Sequence, residues 1–333
     1  MRGLNIAREI RRINPESEIL FYTRSESTAE VCGDQFNYFI EADRAGNSQW
    51  ANVIDRFQPD VVIYDTLLPK QAADTPPNQG RTAYIMRKCK ADRQQAIWEH
   101  PFLTSVELIL IPHDRHEFGY PLPEKFRGKA HYTGPIIRQA ELRQQQKLRD
   151  KYRIQANEIV LTSTVGGGGF EEKAEAFFQV IYQVHRHIHG KIPKLRHLLI
   201  KGPNYTGSLP AINGIEIIDS EIEMVNLLAI SNVVIAEGGY NTVNEIRLAK
   251  TPAIFIPSAR NYDDQHERVI ELQKKGLAFV FSHRDGHPIA EQTIKLCLNP
   301  ALRANIRQRY EQDSIQTGNH VAAQKLVELV RPC

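Results

Sequence analysis

Residues 231–265 read SNVVIAEGGYNTVNEIRLAKTPAIFIPSARNYDDQ, and the pattern of this segment indicates the fold class. The short apolar run at 233–235 ends at two glycines, which is typical of a buried parallel strand. A helical pattern follows and stops at Thr251-Pro252, and the apolar run at 253–256 begins a second strand. The stretch therefore predicts a strand, a Gly-rich turn, a helix and another strand.

The turn in this stretch has two possible roles. Asn241 and Thr242 lie where a helix cap is expected, and Glu245 follows Thr242 at the spacing of a capping box. A helix start attracts phosphate through its unpaired N–H groups, and Gly238 and Gly239 would let an anion approach the backbone. The alternative is a tight turn with Glu245 as a capping partner only. A Gly-Gly pair before a helix is a weak motif, so the segment by itself leaves both interpretations open.

A second Gly-rich turn occurs earlier in the chain. The strand-like run EIVLTST at 158–164 leads into Val165 and four glycines at 166–169, and a Glu-rich helix pattern follows. A strand, a glycine run and a helix start favour a phosphate-binding turn. The run fits neither the ATP-binding nor the dinucleotide-binding motif, so ATP and NAD are poor candidates. Two such turns in one predicted domain favour a phosphate site over a flexible loop.

Three segments together carry a family resemblance: A-E-G-G-Y-N-T-V-N-E-I, T-P-A-I-F-I-P and D-D-Q-H. They resemble the nucleotide-binding half of GT-B glycosyltransferases. The resemblance is closest to family 28, which includes the bacterial N-acetylglucosaminyltransferase that makes the lipid-linked peptidoglycan precursor. It covers roughly residue 159 to the C-terminus and is thinner over the first half. It implies an α/β chain of the GT-B class, with two Rossmann-like domains whose parallel sheets face each other across a cleft.

The resemblance also implies a set of donor-binding residues. The Gly-rich turns would meet the diphosphate, Glu245 would hold the ribose, and Asp264-Gln265 would contact the donor sugar. The backbone at Met224 and Val225 would meet the base, although composition favours a core role for both. The full implied set is Gly167, Gly168, Gly169, Met224, Gly238, Gly239, Asn241, Thr242, Glu245, Asp264 and Gln265.

The reaction implied is an inverting, metal-independent transfer with no cofactor. The donor would be a UDP-linked hexose or N-acetylhexosamine, with thymidine nucleotides as an alternative, and no D-x-D metal motif accompanies the turns. The acceptor is undefined: a sugar, a lipid-linked molecule or a small molecule would bind the first domain. Two rival functions remain. One is a sugar-nucleotide epimerase or hydrolase, and the other is a non-catalytic subunit of a glycosyltransferase split between chains, which would need a companion subunit.

The first half begins with a helical pattern, Leu4 to Ile13, whereas an α/β domain normally begins with a strand. Related enzymes begin with a strand and a G-x-G-H turn, so we expect that strand, and the catalytic His of the turn, upstream of Met1. Asp65, His113 and Asp114 follow the predicted strands at 61–64 and 106–111 and are the substitute candidates for the catalytic base. The alternative for Asp65 is a cap of the next short turn, and the alternative for His113 and Asp114 is as loop residues that hold the turn toward Pro121.

A basic segment lies between these two strands. Residues 83–98 have a helical pattern that places Arg87, Lys88, Lys90 and Arg93 near apolar neighbours. Such a helix either touches anionic lipid, giving peripheral membrane contact at the inner face, or is an ordinary surface helix. The surface helix is the favoured interpretation.

Length and composition limit the remaining possibilities. The 333 residues predict two domains, at 1–137 and 153–333, joined by a polar linker at 138–152. A net charge of +3 gives no electrostatic case for nucleic acid. The four cysteines are scattered without metal spacing, which favours a reducing cytoplasm, and neither a signal peptide nor a membrane span is recognised.

One histidine cluster needs a separate explanation. His185, His187 and His189 alternate on a predicted helix at 171–189, a spacing that places neighbours on different faces. A solvated helix end is therefore favoured over a metal site.

Overall fold

The computed structural model describes residues 2–24, 32–41, 49–69 and 80–330. The chain divides into two compact units. The first consists of Met1–Ile137 with Gln316–Cys333, and the second of Arg138–Ile315.

The first unit is an α/β arrangement with two parallel sheets. A two-stranded sheet pairs β1 (Leu20–Thr23) with β2 (Asn37–Ile40), and a four-stranded sheet has the order β3-β4-β5-β6. The latter strands are β3 (Val61–Asp65), β4 (Arg81–Ile85), β5 (Leu108–Ile111) and β6 (Ala130–Tyr132). The helices are α1 (Arg2–Ile13), α2 (Trp50–Phe57), α3 (Ala91–Glu99), α4 (Phe102–Ser105) and α5 (Arg115–Phe118).

Helix α1 packs against both sheets. Ile6 is buried in a core cluster with residues of β4 and β5, whereas Leu4 and Ala7 are buried with Phe36 beside β1 and β2. Within the described parts of this unit, no strand ladder joins the two sheets. The expected strand upstream of Met1 stays a prediction.

The second unit is built on one six-stranded parallel sheet of order β12-β11-β10-β7-β8-β9. The strands are β7 (Ile159–Thr164), β8 (Leu195–Ile200), β9 (Ile215–Ile218), β10 (Val233–Ala236), β11 (Ala253–Phe255) and β12 (Ala278–Val280). The helices are α6 (Leu142–Lys151), α7 (Glu171–Ile188), α8 (Met224–Ile230), α9 (Tyr240–Ala249), α10 (Gln265–Lys274), α11 (Gly286–Leu298) and α12 (Pro300–Gln312). The sheet grows from β7 in one direction and restarts at β10 in the other. The β7–β10 pair is therefore the topological switch point.

The C-terminal helix, α13 (Asn319–Val330), corrects the predicted domain boundaries. Residues 153–333 are predicted to form one domain, but residues 316–333 belong to the first unit. Ala322 and Leu326 are buried in the core cluster that contains Ile6 and Ile85. The Asn319 side-chain amide donates a hydrogen bond to the carbonyl of Ile137 at 2.7 Å. The apolar face of α13 therefore covers the four-stranded sheet.

The predicted linker at 138–152 is also corrected, because it is a packed part of the second unit. Leu148 of α6 and Tyr152 are buried in a core cluster with Leu198 and Leu227. Arg138 forms an ion pair with Glu223, which is one-quarter exposed. Helix α6 is mostly polar, and Leu148 is the buried apolar residue through which it packs against the core of the second unit.

The predicted helix at 83–98 is a strand followed by a shorter helix. Residues 82–85 are buried in β4 between β3 and β5, and α3 begins only at Ala91. Burial of Ala83, Tyr84 and Ile85 on both faces of the sheet outweighs their helical spacing. Arg87, Lys88 and Lys90 lie in the connection after the strand. Among the described residues, no helix is long and apolar enough to cross a membrane.

Candidate functional site

The two Gly-rich turns lie side by side in the second unit. Thr164, the last residue of β7, is the register partner of Ala236, the last residue of β10. The N–H of Glu237 donates a hydrogen bond to the carbonyl of Thr164 at 3.3 Å. Ligands of open parallel sheets bind outside the carboxyl ends of the strands at a topological switch point. The structure therefore brings both predicted turns to the position where this architecture binds ligands.

The hydroxyl of Thr242 lies close to both turns. A Cβ atom built on Gly166 would be 2.9 Å from Thr242 Oγ1, and one built on Gly239 would be 3.9 Å from the same atom. Helix α9 has Gly239 as its N-cap and makes no side-chain cap bond. The predicted capping role of Asn241 and Thr242 is therefore wrong. Because the helix begins at Tyr240, both side chains lie within its first turn.

The glycines of the two turns fall into two classes. Gly168 has φ +69°, and a Cβ there would lie 2.7 Å from the carbonyl oxygen of Lys201. A Cβ on Gly238 would lie 2.8 Å from Val269 Cγ1. Gly166 has φ +71°, and a Cβ there would lie 2.9 Å from Thr242 Oγ1. Backbone conformation and packing of the fold explain these three glycines. At the other three positions a Cβ would have no neighbour closer than 3.6 Å, and φ is not left-handed: Gly167, Gly169 and Gly239. The fold itself does not require glycine at these three positions.

The start of α9 is the more favourable of the two helix starts for an anion. Its first turn contains no acidic residue, whereas the first turn of α7 contains Glu171 and Glu172. The N–H groups and the partial positive charge of a helix start attract phosphate, and nearby carboxylates weaken that attraction. The side-chain oxygen of Asn241 is also buried at this helix start and has no hydrogen-bond partner among the described residues.

Glu245 lies one turn further along α9 and is half-buried. Burial raises the pKa of this carboxyl to about 7, and the positive charge of Arg138 opposes the rise. Removal from water disfavours the ionised form of a carboxyl. Groups that donate hydrogen bonds to Glu245 would favour the ionised form, so the site is suited to a hydroxyl-bearing ligand.

Arg268 holds the second turn in place. It donates a hydrogen bond to the carbonyl of Gly238 at 2.8 Å and pairs with Asp263 at 2.5 Å. Because the peptide is trans, fixing that carbonyl directs the N–H of Gly239 to the opposite side. Sequence reasoning missed Arg268. Its position in the sequence, two residues after the D-D-Q-H run, is the signal that could have indicated it.

A buried ion pair lies next to the same turn. Glu237 is 2% exposed and accepts a hydrogen bond from Arg260 at 2.5 Å. The Arg260 guanidinium lies 4.3 Å from the ring centroid of Phe170, which follows the glycine run. Burial raises the pKa of Glu237, and Arg260 opposes the rise. Sequence reasoning missed this pair because its members come from different strand ends.

Three predicted donor contacts have structural partners in the fold. Asp264 caps α10 by accepting a hydrogen bond from the N–H of Glu267 at 2.9 Å. Gln265 is buried, and its side-chain oxygen accepts a hydrogen bond from the N–H of Ser258 at 3.1 Å. Met224 begins α8 and packs partly buried against the core. Their proposed contacts with donor sugar and base stay predictions.

The candidate bases lie at strand ends in the first unit. Asp65, at the end of β3, accepts two hydrogen bonds from Arg2 on one oxygen, at 2.7 and 3.1 Å. His113 is 4% exposed, and its Nε2 accepts a hydrogen bond from the N–H of Lys88 at 3.0 Å. Asp114 is exposed at the start of α5 and makes no side-chain cap bond there. The bond from Lys88 occupies the lone pair that a histidine base needs. The catalytic roles of Asp65, His113 and Asp114 stay predictions.

Comparison with known proteins places this geometry in a family. A sequence model of the glycosyltransferase family 28 C-terminal domain matches residues 160–325. An uncharacterized glycosyltransferase of Methanosarcina acetivorans is 21% identical over an alignment 320 residues long, and the match covers 86% of this chain and 77% of that protein. Another, from Methanopyrus kandleri, is 25% identical over an alignment 187 residues long, and that match covers 51% of this chain and 47% of that protein.

Solved structures share the fold over nearly the whole chain. Spinosyn forosaminyltransferase SpnP has a TM-score of 0.68 at 12% identity, covering 99% of this chain and 95% of that one. The glycosyltransferase SnogD from Streptomyces nogalater has a TM-score of 0.64 at 17% identity, covering 98% and 95%. The chain is thus a glycosyltransferase of the GT-B fold that carries a family 28 C-terminal domain.

Proposed function

We propose that the chain transfers a hexose or N-acetylhexosamine from a UDP-linked donor, with inversion and without a metal ion. The observation that carries this proposal is the placement of two Gly-rich turns at the switch point of the second unit's sheet. The donor-binding residues that the sequence predicts are assigned to the parts of the donor below.

The diphosphate would bind at the start of α9. At Gly239 and Gly167 a Cβ would meet no atom closer than 3.6 Å, so the fold leaves open space beside the backbone at both positions. Bond cleavage moves negative charge onto the diphosphate as it leaves. Fixed N–H groups and a helix dipole stabilise that charge without having to reorganise, which is the role a metal ion plays in other transferases.

The ribose would bind Glu245. A carboxylate one turn into the helix accepts hydrogen bonds from two vicinal hydroxyl groups while the phosphates lie at the helix start. The raised pKa of Glu245 means that donor binding and ionisation of this group favour each other.

The acceptor hydroxyl attacks the anomeric carbon on the side opposite the leaving diphosphate, and a base takes its proton. Asp65 and Asp114 are the proposed substitutes for that base within this chain. Arg2 keeps the Asp65 carboxylate oriented through two hydrogen bonds. His113 would serve instead to hold the connection after β4, through its bond to the Lys88 N–H.

Titration calorimetry with UDP-GlcNAc, UDP-glucose and TDP-glucose, each with and without EDTA, tests the donor and the metal independence. We expect the UDP sugars to bind more tightly than TDP-glucose, with no change on adding EDTA. A strict requirement for Mg²⁺ would contradict the metal-free mechanism.

Product analysis separates transfer from its rivals. Wild-type protein incubated with UDP-GlcNAc alone should leave the donor largely intact. Rapid release of free sugar would instead indicate a hydrolase, and conversion to a second UDP-sugar would indicate an epimerase.

A further inference from the structure

A cluster of three side chains lies where the end of α7 meets the start of α11. It consists of His187 from α7 and of His287 and Glu291 from α11. His187 Nε2 lies 2.8 Å from Glu291 Oε1, and the two imidazole centroids are 4.6 Å apart. One potential ligand atom from each side chain lies within 4.8 Å of the other two.

The backbone beneath this cluster is firmly held. Ile188 follows His187, and Ile289 and Ala290 lie between His287 and Glu291; all three are fully buried in one core cluster. His287 and Glu291 are four residues apart, so they project from one face of α11 toward α7. The side chains above this core remain mobile enough to adjust, since His187 is 29% and Glu291 54% exposed.

The alternating histidines of α7 do not share this position. His185 is buried and contacts His197, whereas His187 faces α11 and His189 is exposed. The three histidines therefore do not form one site, as their spacing predicts. Spacing within one helix cannot reveal metal ligands that lie on a second helix.

We propose that His187, His287 and Glu291 bind a zinc-class divalent ion that clamps α7 to α11. Two imidazole nitrogens and one carboxylate are a zinc ligand set, whereas Ca²⁺ and Mg²⁺ prefer oxygen ligands throughout. Zn–N distances of about 2.0–2.1 Å place tetrahedral ligand atoms about 3.3 Å apart. The three ligand atoms lie within 4.8 Å of one another, so they would have to close by at most about 1.5 Å, and water would take the fourth position.

Lys191 opposes the ion in the present arrangement. Its ammonium lies 3.0 Å from His187 Nε2, and the side chain is exposed just beyond the end of α7. Binding therefore requires Lys191 to turn into solvent, and its positive charge weakens the site. This gives the proposal an unusual signature, because removing Lys191 should strengthen metal binding.

The site is separate from the proposed donor chemistry. His187 lies 16 residues beyond Glu171, the first residue of α7, which is about 24 Å along the helix. The ion would hold the end of α7 to the start of α11 and would take no part in transfer. Activity that is unaffected by EDTA is therefore compatible with this site.

The test is titration of ZnCl₂ alone into the metal-free chain of 333 residues. We expect one ion per chain, at least about tenfold weaker binding in His287→Ala and in Glu291→Ala, and tighter binding in Lys191→Ala. His189→Ala is the matched control, since it removes an exposed imidazole from the same helix end without touching the cluster. Affinity that does not change in His287→Ala and Glu291→Ala, or no one-to-one binding, would overturn the proposal.

Co²⁺ titration identifies the ligands independently of affinity. We expect visible d–d bands without sulfur-to-cobalt charge transfer, because the cluster contains no thiol. A charge-transfer band would place the ion on a cysteine and would overturn the assignment. UDP-GlcNAc binding, measured on the same samples, separates failure of this proposal from failure of the donor site.

Discussion

At the scale of single residues, the proposed contact between Glu245 and the ribose would make donor binding depend on pH, because the pKa of this carboxyl is raised. The carboxyl has a pKa of about 7, so a tenth of it is ionised near pH 6 and nine-tenths near pH 8. In the proposed contact the ribose hydroxyls would donate hydrogen bonds to the carboxylate and favour its ionised form. We expect the affinity for UDP-GlcNAc, measured by calorimetry, to rise about tenfold from pH 6 to pH 8.

Glu245→Gln is the control for this pH dependence. Glutamine offers a similar shape without a titrating group, so its affinity should be flat over the same range. A sugar nucleotide is the appropriate probe because its diphosphate has no terminal phosphate that titrates there. An equally steep pH dependence in Glu245→Gln would assign the effect to another group.

A second residue-scale feature is a buried hydrogen-bonded chain through two histidines. His185 Nε2 lies 3.0 Å from the carbonyl of Asn213, which can only accept, so this nitrogen carries the proton. His185 Nδ1 must then accept from His197 Nδ1 at 3.0 Å, and His197 Nε2 accepts from the hydroxyl of Ser163 at 2.8 Å. Burial lowers the pKa of both histidines, so both rings are neutral, and the one backbone carbonyl then fixes the tautomer of each.

This buried series of hydrogen bonds through His185 and His197 should make the fold sensitive to acid. Burial lowers the pKa of His197 to about 3, so below pH 6.5 the unfolded state binds a proton that the folded state does not. Stability is therefore complete above pH 6.5 and falls as the pH drops toward 3. From pH 6.5 to pH 4 the loss from His197 alone is about 3 kcal/mol.

Urea denaturation at several pH values checks this sign. His197→Gln should be less stable than wild type near pH 7, because the substitution interrupts the hydrogen bonds between Ser163, His197 and His185. The stability of this variant should also fall less steeply on acidification. The same steepness in both proteins would show that other groups control acid unfolding.

At the scale of the elements, the glycine run after β7 offers a matched pair of substitutions. In Gly168→Ala the new Cβ meets the Lys201 carbonyl at 2.7 Å with φ at +69°, so the turn must distort. In Gly167→Ala the nearest atom is 3.6 Å away, on Asn204, and the fold accommodates it. We expect Gly168→Ala to lower the melting temperature and Gly167→Ala to weaken donor binding without that loss.

Thermal unfolding and calorimetry on both variants separate the two roles of this turn. If Gly167→Ala binds UDP-GlcNAc as tightly as wild type, the turn does not line the diphosphate. If Gly168→Ala melts as wild type does, the packing account of that glycine is wrong.

Sequence patterns predicted the elements of the site better than their contacts. The turns at 166–169 and 238–239 were found because glycine runs between a strand and a helix have a local cause. The capping box failed because Gly239 already caps α9, which moves Thr242 into the first turn. The pair Glu237–Arg260 and the bond from Arg268 to Gly238 connect different strand ends, and no local spacing reveals them.

At the scale of the whole molecule, the return of α13 to the first unit is directly testable. Leu326 is 2% exposed, and Leu326→Ala should cost about 2–5 kcal/mol in that unit. Both tryptophans, Trp50 and Trp98, lie in the first unit, so tryptophan fluorescence reports on it alone. We expect the fluorescence-detected urea midpoint to fall in this variant while UDP-GlcNAc binding persists. An unchanged midpoint together with lost binding would place α13 with the second unit.

The fold class of the molecule was predictable because strand and helix patterns alternate along the chain. The assignment of α13 was not, since an amphipathic helix carries no mark of which sheet it covers. Similarly, the strand at 81–85 has the spacing of a helix, and only its position between β3 and β5 explains it. These errors share one physical cause, because burial in a sheet is decided by neighbours distant in sequence.

We propose that a nucleotide sugar binds at the switch point of the second unit through Glu245. Calorimetry with UDP-GlcNAc on wild type and Glu245→Ala tests it most directly, with Glu311→Ala as the control because that carboxylate is exposed in the same unit. A hydrogen bond to a charged group contributes about 1.5–3 kcal/mol, so the account predicts about 10- to 100-fold weaker binding in Glu245→Ala. It predicts no change in Glu311→Ala. Equal affinity of a folded Glu245→Ala variant and wild type would contradict it.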